Sequence, residues 1–270
     1  MIPSVHRIAS RTDARVRRIR RLHERDERER TRTFYVEGPR FVLQALEHRA
    51  SLQTAVIAPE LLRGPSGPRL QARLRRAGVP CLEVTAEVFH SLSLADDPQG
   101  VGAVVRQRWV ALAQVNARQG LCRVALDAVQ SPGNLGTVLR TCDAVGAAGV
   151  ILLGDTTDPY HPATVRASMG ALFTQQFTRA GLSEFADWKE RTGCLLVGTS
   201  PAGSVDYHAL PYRPPVVLFL GSERTGLAPE TQALCDVMVR IPMVGRSDSL
   251  NLAVAASVLL YEVFNQHRDA

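Results

Sequence analysis

Asp127-Ala128-Val129-Gln130-Ser131-Pro132-Gly133-Asn134-Leu135-Gly136-Thr137-Val138-Leu139-Arg140-Thr141 carries three structural signals in fifteen residues. A buried strand ends at its start, Pro132-Gly133 makes a turn, and a helix begins. Leu135, Val138, Leu139 and Cys142 recur at i, i+3, i+4 and i+7, which defines one apolar stripe. Thr137, Arg140, Thr141 and Ala144 fall on another face, so Arg140 is not a core filler. Asn134 stands where a helix cap is needed, and the free N–H groups of the first turn are placed to meet an anion.

Outward from this unit, strand-length apolar runs occur at Cys122 to Leu126, Gly149 to Leu153, Cys194 to Gly198 and Val216 to Leu220. Helix-length segments separate them, which is the pattern of a parallel α/β layer. The last of these runs empties into Gly221-Ser222-Glu223-Arg224-Thr225-Gly226-Leu227, and ligands collect at the carboxyl ends of such strands. Glu223 there has three readings: it accepts hydrogen bonds from a ligand, holds an arginine, or is the acid of a helix N-terminus. Ser222 is not a nucleophile elbow, because Gly-x-Ser-x-Gly is absent. No Gly-x-Gly-x-x-Gly follows the first strand, which excludes the dinucleotide-binding fingerprint. A third stretch, Ile241-Pro242-Met243-Val244-Gly245-Arg246-Ser247-Asp248-Ser249-Leu250-Asn251, is a polar loop leading into an Ala-rich helix up to Tyr261. Asp248 or Ser249 is the expected N-cap. The small residues of that helix permit close approach to other backbone, as in tight packing or a subunit interface. A bulky charge such as Ala255→Arg is then expected to break a dimer.

The first hundred residues read as a smaller α/β unit. Phe34-Tyr35-Val36-Glu37-Gly38-Pro39 is a strand and a turn leading to a helix through Ala50. Strands follow at Ala55 to Ala58, Cys81 to Val84 and Val101 to Arg108, with helices at Arg69 to Ala77 and Ala86 to Leu92. The expected division is an Arg-rich segment over 1–32, a domain over 33–108, a linker over 109–120 and a second domain over 121–270.

The net charge of +6 is concentrated, since residues 11–32 hold ten arginines against five acids. Lys189 is the only lysine, so nearly all the positive charge is guanidinium able to fork onto phosphate. Arg15, Arg18, Arg21 and Arg40 are the candidate polyanion contacts. The other reading is a solvated helix packed by Val16, Ile19 and Leu22, with pairs such as Glu24 and Arg28 on its surface. Cys81, Cys122, Cys142, Cys194 and Cys235 form no CxxC pair and lie in mainly apolar stretches, so buried reduced thiols are expected and no metal site. No apolar run approaches the ~18 residues of a membrane span and no secretory leader is present, so a cytoplasmic protein is expected.

The three stretches of the second half, in this order and spacing, resemble the SpoU (TrmH-like) branch of the SPOUT superfamily, RNA ribose 2′-O-methyltransferases that use S-adenosylmethionine. Asn134-Leu135-Gly136 through Arg140 resembles the first motif of that branch. Leu220-Gly221-Ser222-Glu223 with Gly226-Leu227 resembles the second, and Ile241-Pro242 through Ser249-Leu250-Asn251 the third. The likeness is close over about residues 120 to 265. It is looser over 33 to 108, where Phe34 to Gly38 resembles the entry to an L30e-like substrate-binding domain.

The resemblance implies an α/β fold whose C-terminal part makes a deep trefoil knot, a rare arrangement. It implies S-adenosylmethionine held by loop backbone near Thr199, Ser200, Gly221, Ile241 and Leu250, with no metal. It also implies a homodimer in which Arg140 of one subunit lies near the donor held by the other. Arg140 would bind the target phosphate and position the 2′-hydroxyl; a guanidinium with pKa above about 12 is a poor base. Asn134, Glu223, Ser249 and Asn251 would hold Arg140 and the target nucleotide. Ribosomal RNA is the expected substrate, with transfer RNA and a catalytically silent RNA-binding relative as the alternatives.

Overall fold

The computed structural model of the chain describes residues 7–63 and 66–268. It divides into two compact units, one formed by the described residues up to Gln107 with Tyr160–Val165, the other by Arg108–Pro159 and Arg166 onward.

The first unit contains α1 (Ala14–Arg21), α2 (Arg25–Thr31), β1 (Thr33–Glu37), α3 (Pro39–Glu47), β2 (Leu52–Ile57), α4 (Ser66–Arg76), β3 (Cys81–Glu83), α5 (Ala86–His90) and β4 (Val101–Arg106). Its sheet runs β1-β4-β2-β3, antiparallel except for the parallel β2–β3 pair. Gly102 is required at the β1–β4 pairing, because a Cβ there would lie 2.1 Å from the Tyr35 hydroxyl.

The Arg-rich stretch is not set apart from this unit. Asp13 caps α1 through the Arg15 N–H, and the helix buries Val16 and Ile19, with Leu22 beyond its end. These side chains pack with Tyr35, Val56, Val84, Val88 and Phe89. Ile8 joins the sheet margin by accepting from the Thr85 amide and donating to the Glu83 carbonyl. Arg28 is buried and donates to the carbonyls of Leu22 and His23, so it is not the solvated surface residue that its spacing from Glu24 suggests. Residues 1–6 of the stretch, and 269–270 at the far end of the second domain, lie outside the described residues. Burial of Val16, Ile19 and Leu22 contributes roughly 1.5–3 kcal/mol each. Deleting residues 1–32 is therefore expected to lower the melting temperature by on the order of 10 °C or more. Calorimetry of the truncated chain checks this, and an unchanged midpoint would refute it.

The second unit contains β5 (Arg123–Asp127), α6 (Pro132–Val145), β6 (Gly149–Leu153), α7 (Pro162–Ala167, shared with the first unit), β7 (Gln176–Arg179), α8 (Leu182–Thr192), β8 (Leu195–Thr199), β9 (Val205–Asp206), β10 (Val216–Leu220), α9 (Pro229–Gln232), β11 (Val237–Arg240) and α10 (Leu252–His267). Its seven strands are all parallel, in the order β7-β6-β5-β10-β8-β11-β9. Both faces of β6 and β10 are covered, which explains their unbroken apolar runs. Strands β7, β9 and β11 escape the sequence reading because each is two to four residues long and only partly buried.

The stretch 109–120 is not a linker. It carries a short 3-10 turn at Leu112–Gln114, and Leu112, Val115 and Ala117 are buried in the core with Phe185, Trp188 and Phe219. The Trp188 indole donates to the Val115 carbonyl. Among the cysteines, Cys122, Cys142 and Cys194 are buried free thiols, Cys235 is half-buried, and Cys81, contrary to expectation, is exposed at the short β3.

Candidate active site

The site lies in the second unit, where three neighbouring parallel strands, β10, β8 and β11, end side by side. The loops that leave them enclose a cavity of about 360 Å³. Its lining includes Thr199 and Ser200 after β8, Gly221 and Glu223 after β10, and Ile241, Ser249 and Leu250 after β11. All five residues expected to hold the donor are thus brought together, although they span fifty-two positions of sequence. Leu220, Leu227, Val239 and Leu259 supply apolar surface, and a volume of this size falls within the ~300–1,000 Å³ of small-molecule sites.

The loop after β10 is held tightly. Ser222 and Gly226 exchange two backbone hydrogen bonds of 3.1 and 3.0 Å, and Gly226 turns the chain at φ +67°. Gly221 has no room for a side chain, since a Cβ would stand 2.0 Å from the Gly226 carbonyl carbon. That glycine lets two backbone segments touch at the cavity wall.

Glu223 faces away from an arginine and onto the N-terminus of α6. Its carboxylate accepts from the amides of Gln130 (3.0 Å) and Ser131 (3.0 Å) and from the Asn134 side chain (2.9 Å). The anion at this helix end is therefore the protein's own, which corrects the reading of a vacant ligand site there. Asn134 is not the cap: Ser131 is, its hydroxyl accepting from the Asn134 amide. Asn134 Oδ1 instead accepts from Asn251 Nδ2 at 3.1 Å, and Asn251, rather than Asp248 or Ser249, caps α10 through the amides of Ala253 and Val254. One chain of hydrogen bonds, Glu223 to Asn134 to Asn251, ties all three sequence motifs together.

Burial alone would raise the Glu223 carboxyl, but the Gln130 amide, the Asn134 side chain and the Ser131 amide together hold it below the usual carboxylate range. A depressed folded-state value means that its contribution is present above the ordinary carboxyl pKa and is lost as pH falls through the lowered one. Glu223→Gln supplies one oxygen where the carboxylate supplies two. The variant is expected to melt a few degrees lower than wild type at neutral pH, with the gap closing in acid; melting curves across pH check this, and a gap constant with pH would contradict it.

Arg140 stands apart from this network. It is exposed on α6 and, among the described residues, has no hydrogen bond or ion pair. Asn134, Glu223, Ser249 and Asn251 do not hold it within one chain, and neither Arg140, Asn134 nor Asn251 lines the cavity. Beside it, the Thr141 hydroxyl meets Ser257 of α10 at 2.9 Å, so α6 and α10 present one continuous surface. Val254 and Tyr261 of α10 are 49% and 47% exposed and Leu250, in the loop before it, 38%, a large apolar contribution beside a helix whose other side is buried. Ala255 turns inward to the cavity. Sequence reasoning also missed Arg224 and Asp248, which bring opposite charges to the cavity wall from two separate loops. Nothing local in the sequence marks two loop residues as neighbours.

Of the expected RNA contacts in the first unit, Arg15 forks onto Asp13 and Arg21 pairs with Glu27, while Arg18 and Arg40 are exposed without such partners among the described residues.

Residues 122–261 match the SpoU rRNA Methylase family, and residues 13–103 match the MRM3-like substrate binding domain. The 23S rRNA (uridine(2479)-2'-O)-methyltransferase of Streptomyces viridochromogenes is 33% identical, over 98% of this chain and 93% of its own length. The 23S rRNA (guanosine(2553)-2'-O)-methyltransferase of Bacillus subtilis is 30% identical, over 95% and 98%. The crystal structure of an AdoMet-bound rRNA methyltransferase from Sinorhizobium meliloti superposes with a TM-score of 0.89 at 38% identity, covering 97% of this chain and 98% of that one.

Proposed function

The chain belongs to the SpoU rRNA methylase family, and we propose that it transfers a methyl group from S-adenosylmethionine to a ribose 2′-hydroxyl of ribosomal RNA. The observation that carries this reading is the cavity at the ends of β10, β8 and β11. It gathers the second and third motifs around a volume suited to a nucleoside-sized ligand. The fit to the donor is good on three counts. The walls combine apolar side chains with loop backbone, Gly221 opens that backbone to close approach, and the charged Arg224 and Asp248 suit the amino-acid end of a zwitterion.

When bound, the donor supplies an activated methyl group on a sulfonium sulfur. The chain's own residues do the rest by position. In-line transfer needs the acceptor oxygen held against that methyl, and a fixed geometry removes much of the entropic barrier. The Arg140 guanidinium suits a phosphate of the target nucleotide, which it grips in a two-pronged hydrogen bond, fixing the neighbouring 2′-hydroxyl. The Glu223–Asn134–Asn251 chain keeps the start of α6, and hence the helix that carries Arg140, in register with the cavity wall.

Arg140 does not reach the cavity of its own chain, so the reading includes a homodimer in which α6 of one subunit serves the cavity of the other. The exposed apolar residues of α10 beside Arg140 support it. The reading also includes the trefoil knot: β10 inserts between β5 and β8, β11 inserts between β8 and β9, and the chain then returns to α10 against α6. The reading also includes a cytoplasmic location, which activity on ribosomal RNA supports.

Calorimetry with S-adenosylmethionine, followed by tritiated methyl transfer to 23S rRNA and to transfer RNA, tests the reading. Donor binding with label recovered in 2′-O-methylated nucleotides of ribosomal RNA is expected. Label in transfer RNA alone would move the substrate, and donor binding without transfer to any RNA would leave a silent relative.

A further inference from the structure

We propose that the first unit holds the RNA backbone on α4, through Arg69, Arg75 and Arg76, and not on the arginine-dense α1–α2 stretch. The inference rests on the RNA-modifying function above and says where the electrostatic grip lies.

Charge density and available charge differ in this unit. Within 11–32 most guanidinium groups already have work: Arg11 pairs with Glu87, Arg15 with Asp13, Arg21 and Arg30 with Glu27, and Arg25 with Glu29. Arg20 donates to the Ser91 carbonyl and hydroxyl, and Arg28 is buried. A phosphate would have to displace these partners, and of the ten arginines only Arg17, Arg18 and Arg32 are exposed without a side-chain partner among the described residues.

Residues 49–79 carry the same surplus unnoticed by the overall total. They hold six arginines (Arg49, Arg63, Arg69, Arg73, Arg75, Arg76) against one acid, Glu60, a local excess of five. Glu60 itself is engaged by Arg7. Helix α4 contains no acid, and Leu70 (4% exposed) and Leu74 (0%) anchor its inner side. Arg69, Arg73 and Arg76 follow one another at i, i+4 and i+7 on the outer side, with Arg75 beside them, all exposed. Only Arg73 has an acid partner, Glu47 at 3.2 Å; Arg69, Arg75 and Arg76 have none among the described residues. A favourable helix dipole accounts for cations in the last turn but not for Arg69 in the first half, where the dipole opposes a cation. A row of uncompensated guanidinium groups is complementary to a polyanion, and nucleic-acid phosphates are the polyanion the function supplies.

Counterion release gives the test. Binding of an in vitro 23S rRNA transcript is measured over a range of KCl concentrations for wild type, for Arg69→Gln/Arg75→Gln/Arg76→Gln, for the same triple to Lys, and for Arg17→Gln/Arg18→Gln on α1. Removing one arginine–phosphate pairing lowers the slope of log affinity against log salt by roughly 0.7–0.9. The α4 Gln triple is expected to reduce that slope by about two. The Lys triple should keep the slope, because charge sets it, and the α1 double should leave it unchanged. A slope unaltered in the Gln triple, or lowered equally by the α1 double, overturns the proposal. Arg76→Gln alone, expected to lower the slope by roughly 0.7–0.9, reads the same effect should the triple fold poorly. Methyl transfer by the wild type to the same transcript is read separately. Its absence would defeat the enzymatic assignment, whereas normal transfer with an unchanged Gln-triple slope defeats only the α4 surface.

Discussion

Arg140→Ala is expected to lower methyl transfer by on the order of 10²–10³-fold, while affinity for S-adenosylmethionine stays within a few-fold of wild type. The side chain projects from α6 into solvent, has no partner among the described residues, and is not part of the donor cavity. Its removal therefore costs neither fold nor donor site, only the grip on the acceptor. Arg140→Lys should fail almost as badly, because an ammonium is a point charge and cannot reproduce the planar fork. Single-turnover transfer with saturating RNA, set beside calorimetry of donor binding, measures both quantities. A loss of donor affinity equal to the loss of rate would mean that Arg140 belongs to the donor site instead.

The second large effect concerns assembly. Val254→Arg together with Tyr261→Arg is expected to yield monomers without measurable transfer. These two residues lie seven apart on the solvent side of α10 and are each nearly half exposed, apolar surface that a lone subunit leaves in water. Ala255→Arg, the substitution that sequence reading favours, is a poor probe: Ala255 lines the donor cavity, and an arginine there would fill it. Analytical ultracentrifugation with parallel activity assays checks the expectation. Full activity from a wild-type monomer would refute it, since each site then needs only one chain.

Most of the chemistry is legible in the amino-acid sequence. Glycine at 221, the acid at 223 and the polar loop leading into an Ala-rich helix are local features, and the structure places Gly221, Glu223 and Ser249 of that loop at the cavity. The partners of those residues are not legible there. Glu223 hydrogen-bonds residues about ninety positions earlier, and Asn251 reaches Asn134 across 117. Periodicity reports which face of an element is apolar, and says nothing about which loop a polar side chain meets across a sheet. The caps show the same limit. Ser131, Asn134, Asp248, Ser249 and Asn251 are all capping residue types near a helix start, and only backbone geometry selected Ser131 and Asn251.

The sequence by itself determined the alternation of strands and helices, the apolar stripe of α6 with Arg140 off it, and the three motifs, because these depend on spacing along a few turns of chain. It also determined that the protein is rich in guanidinium groups. Only the tertiary structure decided where that charge is available: most guanidinium groups of the densest run are held by neighbouring acids, by Glu87 or by backbone carbonyls, while on the sparser row of α4 only Arg73 has an acid partner among the described residues. Only the tertiary structure, too, buried Leu112, Val115 and Ala117 of the 109–120 stretch in the core and made one hydrogen-bonded chain of three distant motifs. Strand order in a parallel sheet is fixed by long-range packing of buried faces, and such packing leaves no periodic mark on the residues that it brings together.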